Sequence, residues 1–139
     1  MPWSPLAGGF LTGKYKQGDT AGIGRLSGAN PFGDSKFSDR NWTILATLQQ
    51  VAAEQDRPCA QIALAWVMAQ RGVTSTLVGA RSVAQLNGNI AATEVALTRD
   101  QIDRLTKVSA TPGGFSASLT TPAIRRMVYG GHEVAGWTD

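Results

Sequence analysis

Apolar residues recur at helical spacing from Asn41 onward. Ile44, Leu45, Leu48, Val51 and Ala52 fall on one face, so the pattern predicts an amphipathic helix reaching about Gln55. Ser38 or Asp39 stands where an N-cap is needed, with a side-chain oxygen for the first backbone N–H groups. A second helix opens near Pro58, a residue suited to a first turn. Its run CAQIALAWVMAQR is apolar almost all round, which predicts burial on most faces, and Gly72 ends it. VTSTLVG (73–79) is short, β-branched and bounded by Gly79, the pattern of a buried strand in a parallel α/β layer. Ser82 and Gln85 form an S-x-x-Q capping box that opens a helix through about Ala91. Thr98 and Gln101 repeat the box before a helix lined by Ile102, Leu105 and Val108.

The two ends read differently. Pro2 and Pro5 make MPWSPL extended, because each resists helix and restricts its predecessor. Residues 16–38 are rich in Gly, Asp and Ser without periodicity and predict a long loop, a length usually tied to function or disorder. After Pro112 the pattern is irregular to the end. The order is strand end, long loop, helix, helix, strand, helix, helix, tail. Two strands do not make a sheet able to bury these helices, and two open edges call for cover. The chain is therefore expected to dimerise, to bind a missing partner half, or to fold loosely.

Composition adds class and exclusions. At 139 residues, 42% hydrophobic and 17% charged, the chain reads as one globular domain. Thirteen Lys and Arg against ten Asp and Glu leave a net charge of +3, and the densest basic spot is IRRM at 124–127. That is no contiguous basic face, so nucleic acid is not an expected partner. One cysteine, Cys59, excludes an internal disulfide and a Cys-based zinc site, and one histidine, His132, excludes a His-rich metal site. No apolar run nears the roughly 20 residues of a membrane span. MPWSPLAGGF lacks the basic start and unbroken apolar stretch of a signal peptide, so a cytoplasmic location is expected.

Several motifs fail on their own terms. GGFLTGKY places Gly8, Gly13 and Lys14 at P-loop spacing, but Tyr15 stands where Ser or Thr must reach magnesium, and no helix can start in KQGDTAGIG. GIGRLS (22–27) misses the last glycine of a dinucleotide fingerprint and lacks a preceding strand. His132 sits in a Gly-flanked tail as a surface residue would. Cys59, at the entrance of the buried helix, reads as packing, and Tyr15 or Tyr129 would need a neighbouring cation to donate a proton. Trp42 and Trp66 read as structural, whereas Trp3 and Trp137 lie in loop-like surroundings.

LVGARSVAQLNGN (77–89) is more informative. A strand ending in Gly79, a short turn and a capped helix gather free N–H groups and a positive dipole end, which suits an anion. Arg81, just before the cap, either grips a phosphate through its guanidinium or is a solvated turn residue.

PWSPLAGGFLTGKY (2–15) and GARSVAQLNGN (79–89), with AQIALAWVMAQRGVTSTLVGA between them and YGGHEVAGW in the tail, closely resemble the aldo-keto reductases. That resemblance implies an α/β fold, the carboxyl-terminal part of a (β/α)8 TIM barrel, incomplete, with about two barrel strands, four helices and a long loop. It divides residues 1–139 into the end of strand seven with a cofactor loop (1–15), a long loop (16–40), helices with strand eight and the cofactor helix (41–110), and a tail (111–139). It implies NADP(H) as cofactor, consistent with phosphate sites after strands seven and eight of such barrels. Trp3, Ser4, Leu6, Ala7, Gly8 and Lys14 match its nicotinamide and pyrophosphate side. Gly79, Arg81, Gln85 and Asn89 match its adenosine end, Arg81 on the 2′-phosphate, and Arg25 aligns loosely with a loop arginine over the pyrophosphate.

Two departures follow. Gly88 stands where the family usually carries an acidic residue, which removes a contact to adenine or ribose. The catalytic Asp, Tyr, Lys and His come from earlier strands, and neither His132, Tyr15 nor Tyr129 replaces them. The resemblance thus implies a cofactor-binding reductase portion, inactive alone. The alternatives are a nucleotide-sensing scaffold like the channel-associated members and a remnant without ligand.

Overall fold

Side-chain caps set where the helices start. The structure, a computed structural model, describes residues 1–18, 26, 36–111 and 122–132. Helix α1 spans Asp39–Glu54, and Ser38 is its cap: the Asn41 N–H donates to Ser38 Oγ at 3.3 Å. Helix α2 spans Cys59–Met68 behind an extended Pro58. Helix α3, Val83–Ile90, starts at Ser82, whose Oγ accepts from the Gln85 N–H at 3.2 Å, and runs into a 3-10 turn at Ala91–Glu94. Helix α4 spans Arg99–Ser109. The reciprocal box forms there in full: Gln101 N–H donates to Thr98 Oγ1 at 3.2 Å, and Thr98 N–H donates to Gln101 Oε1 at 3.0 Å.

These elements belong to a unit of residues Met1–Ser109. Its core joins Leu45, Leu48, Val51 and Ala52 of α1, Ile62 and Ala63 of α2 and Leu105 of α4 to Phe10, Tyr15 and Leu26. Each of the Leu, Ile, Val and Phe side chains contributes about 1.5–3 kcal/mol by leaving water, and the alanines less. Burial on α2 is confined to Gln61–Ala65, while Trp66, Val67 and Met68 are half-buried, so the expectation of burial on most faces holds for the first half of the helix. Trp66 Nε1 donates to Thr106 Oγ1 at 3.2 Å and ties that second half to α4.

Polar bonds at both ends make α1 and α4 antiparallel. Arg40 Nη2 donates to the Ser109 carbonyl at 2.8 Å. At the other end, Arg104 Nη1 donates to Glu54 Oε1 at 2.8 Å and Arg104 also binds Glu54 Oε2. Gln101, buried, is the hub: its Oε1 accepts from Gln55 Nε2 at 2.7 Å and its Nε2 donates to Glu54 Oε2 at 3.0 Å. The Arg104 and Gln101 hydrogen bonds hold the Glu54 carboxyl down at about 2.

The expected strands do not form among the described residues. Residues 73–80 carry no regular secondary structure and are mostly exposed, not buried, and residues 1–6 contain no strand. The two segments meet at one bond, from Leu77 N–H to the Pro2 carbonyl at 3.2 Å. A strand is defined by repeated pairing, and lone pairs of short segments are marginal in water, so local β-propensity cannot complete one here.

The unit of residues Ala110–Asp139 contains helix α5, Pro122–Val128, where an irregular tail was expected. Pro122 occupies the first helical position, the one place where its ring and missing N–H favour a helix. A double-glycine turn closes it, with Gly131 N–H donating to the Arg126 carbonyl at 2.6 Å.

Candidate functional site

The first site segment is a chain of tight turns. Ala7–Thr12 forms a 3-10 segment broken by left-handed backbone at Gly8 (φ 69°) and Gly9 (φ 97°). Ser4 (φ 56°) and Ala7 (φ 48°) are left-handed as well, which for residues with a Cβ stores strain that surrounding contacts must hold. Those contacts are Ala7 N–H to the Ser4 carbonyl and Gly9 N–H to the Leu6 carbonyl, both at 2.9 Å. Phe10 anchors the loop, with its ring 5.0 Å from Trp42, 6.0 Å from Phe37 and 6.5 Å from Tyr15.

The left-handed backbone favours glycine at both positions, and side chains lie close over each. A Cβ on Gly8 would meet Leu26 Cδ2 at 2.8 Å, and one on Gly9 would meet Lys14 Nζ at 3.1 Å. The Lys14 ammonium is thus folded back across the loop, and it also stands 5.1 Å from the Tyr15 ring centroid. An ammonium held over such a turn can take a phosphate oxygen. Gly9 was not singled out from the sequence. The signal was its pairing with Gly8, since two consecutive glycines mark backbone that something approaches closely.

The second segment is a locked turn. Arg81 N–H donates to Gln85 Oε1 at 2.9 Å, so the box closes one residue before the cap. Gln85 Oε1 is therefore engaged in shaping the turn. Gly79, Arg81 and Gln85 are exposed and Asn89 is half-buried. A Cβ on Gly88 would meet no atom within 4 Å, so packing does not demand the glycine that departs from the family pattern.

The Leu77–Pro2 bond brings the segments together immediately before their site residues, so Trp3 and Ser4 follow one partner and Gly79 and Arg81 follow the other. Trp3 and Ser4 are exposed, Leu6, Ala7 and Gly8 are half-buried, and Lys14 is exposed. Arg25 lies outside the described residues. Tyr15 is in the core and its hydroxyl accepts from Leu26 N–H at 3.1 Å, a latch holding Leu26 against Gly8. Cys59 is half-buried, and burial pushes its thiol up, the opposite of an activated nucleophile. His132 is exposed in the other unit, its N–H donating to the Tyr129 carbonyl at 3.1 Å. Among the described residues no three His, Cys, Asp or Glu gather around a metal position, and no helix is long and apolar enough to cross a membrane.

The donor set suits a ligand carrying more than one phosphate. It offers a lysine over a glycine loop, an arginine at a capped helix start and an exposed tryptophan that can stack on a planar ring. It offers no buried acid or base for proton transfer.

Known proteins match the same region. The profile of the aldo/keto reductase family matches residues 1–110. An uncharacterized oxidoreductase of Mycobacterium tuberculosis is 39% identical over 106 residues, covering 76% of this chain and 32% of the relative. A probable voltage-gated potassium channel subunit beta of Oryza sativa subsp. japonica is 32% identical over 121 residues, covering 76% and 34%. L-glyceraldehyde 3-phosphate reductase of Escherichia coli O157:H7 is 33% identical over 98 residues, covering 66% and 28%. The chain thus spans about a third of the length of the relatives it matches.

Proposed function

The chain belongs to the aldo/keto reductase family, and from that premise we propose that it is the NADP(H)-binding, carboxyl-terminal portion of a (β/α)8-barrel reductase. The observation that supports this is the Leu77–Pro2 bond, which joins the segment leading into the Lys14-covered glycine loop to the segment leading into the capped Arg81 turn. Lys14, folded over the Gly8–Gly9 turn, holds the pyrophosphate, and Trp3 and Ser4 border the nicotinamide. Arg81 takes the 2′-phosphate, while Gln85 keeps the Arg81 backbone in place. Bound NADPH would supply hydride to an aldehyde or ketone. The acid–base residues for that transfer come with the earlier strands of the barrel, so the chain by itself binds nucleotide and is catalytically silent.

The potassium-channel beta-subunit relative favours a second reading, in which the same nucleotide site serves a non-catalytic, nucleotide-sensing scaffold. Supplying strands one to six separates the two: restored carbonyl reduction supports the first reading, and nucleotide binding without reduction supports the second.

Arg81 provides the direct test of the cofactor. A charge-assisted, bidentate hydrogen bond contributes about 1.5–3 kcal/mol, so Arg81→Ala is expected to weaken NADPH roughly 10- to 100-fold. NADH, which lacks the 2′-phosphate, is expected to change little. Equal weakening of both would contradict the assignment.

A further inference from the structure

Lys14 and Tyr15 are neighbours in the chain with opposite surroundings: Lys14 is exposed, whereas Tyr15 is 4% exposed and belongs to the core. A buried tyrosine needs a partner for its hydroxyl. That partner is the Leu26 N–H, which donates to the Tyr15 hydroxyl oxygen at 3.1 Å. The ring is held by two others, its centroid 5.4 Å from that of Phe37 and 6.5 Å from that of Phe10. Both ends of this fixed side chain reach the glycine loop. At the hydroxyl end, Leu26 is buried and lies over Gly8, where a Cβ would meet its Cδ2 at 2.8 Å. At the ring, Lys14 Nζ stands 5.1 Å from the centroid, and the same ammonium is 3.1 Å from where a Gly9 Cβ would be.

We propose that Tyr15 is the positioning residue of the glycine loop, its hydroxyl fixing Leu26 on Gly8 and its ring carrying the Lys14 ammonium over Gly9. A long lysine side chain loses rotamer freedom when it grips a ligand, and an ammonium already held beside an aromatic ring has less to lose. The left-handed turns at Ser4 and Ala7 store strain that contacts must hold, and the Leu26 side chain closes over the glycine that follows them. At 4% exposure Tyr15 is not itself presented to a ligand, so it acts through Leu26 and Lys14. That the ligand is a nucleotide rests on the function proposed above; the hold of Tyr15 on the loop does not.

Two readouts on the full chain separate these parts. Tyr15→Phe keeps the ring and removes the hydroxyl, and Leu26→Ala removes the cover over Gly8. In both, the Ala7, Gly9, Leu11 and Gly13 amides, bonded to the carbonyls of Ser4, Leu6, Leu6 and Phe10, should exchange with deuterium at least about fivefold faster, the factor one hydrogen bond supplies. The Gln55 amide, bonded to the Val51 carbonyl in α1, should keep its native rate. NADPH and NADH share the pyrophosphate, so each variant should weaken both by the same factor, about fivefold or more, and leave their ratio as Arg81 sets it. Because the hydroxyl works through Leu26, the double variant should be no weaker than either single one. Tyr15→Leu, which also takes the ring from Lys14, should weaken both nucleotides about two- to fivefold beyond Tyr15→Phe.

Native exchange rates in the turn, an equal rise at Gln55, or a loosened turn with unchanged nucleotide affinity would overturn the proposal. Tyr15→Leu binding as well as Tyr15→Phe would remove the ring from it. A native chain that binds neither nucleotide refutes the nucleotide reading alone, and the exchange rates then decide whether Tyr15 holds the loop.

Discussion

Phe10 is where the glycine loop is fastened to the helices, and truncating it tests whether packing or local turn chemistry holds the site. The ring is 2% exposed and lies between Trp42, Phe37 and Tyr15. Phe10→Ala removes a fully buried ring, which costs about 3–5 kcal/mol where the surroundings cannot collapse. Part of that is ring–ring contact, about 0.5–1.5 kcal/mol per pair beyond the area term. Phe10→Leu keeps most of the volume and loses the ring contacts, so its cost should be about 1–2 kcal/mol. Urea unfolding, followed by tryptophan fluorescence and far-UV circular dichroism together, measures both variants. Because the left-handed turns at Ser4 and Ala7 are held against strain, the alanine variant should also lose nucleotide affinity at urea concentrations where α1 and α4 remain helical. A cost under about 1 kcal/mol for Phe10→Ala would show that the ring cluster is not the anchor. Unchanged nucleotide affinity in a clearly destabilised variant would separate the loop from the site.

Three further outcomes follow from individual contacts. Gln101→Ala removes the cap partner of Thr98 and the links to Glu54 and Gln55, and should cost about 1–3 kcal/mol in urea unfolding, against a few tenths for the exposed Gln50→Ala. Glu54, held at about 2 in the folded chain against 4.5 unperturbed, stabilises the fold fully above pH 4.5 and loses that contribution as pH falls toward 2. Glu54→Gln should therefore be less stable than the native chain at pH 7 and show a shallower decline on acidification, and parallel stability–pH curves would contradict the ion pair. Gly9→Ala forces a Cβ into a backbone at φ 97° and against the Lys14 ammonium, so nucleotide titration should show a weaker phosphate contact while Trp42 fluorescence stays native. Unaltered affinity would remove Lys14 and Gly9 from the site.

The helices were legible because their signals are local. Ser38, Ser82 with Gln85 and Thr98 with Gln101 cap within three residues of where they stand, and the apolar spacing of α1 named its buried face. A strand was expected at 73–79 and does not form: β-branched composition reports fitness for a sheet, whereas a sheet needs a neighbour that the residues themselves cannot announce. Helix α5 was missed because Pro122 reads as a breaker until its position at the helix start is known. At the site, the resemblance named Lys14 and Gly8, but the fold of the lysine back over Gly9 depends on a side-chain path with no sequence signature. Gln85 read as the capping-box partner of Ser82 and, through the resemblance, as a ligand, and its side chain closes the box on the Arg81 N–H, one residue before the cap. The role of Gln101 as hub between α1 and α4 was equally hidden, since its partners lie 46 and 47 residues away.

In the proposed function, the glycine loop and the Arg81 turn together form a nucleotide site selective for the 2′-phosphate. Calorimetric titration of NADPH into the native chain at low salt, with NADH in parallel, tests it most directly. Saturable binding of NADPH is expected, at least about tenfold tighter than that of NADH, the factor one phosphate–guanidinium contact supplies. Equal affinity for the two nucleotides, or no heat from either, would contradict it.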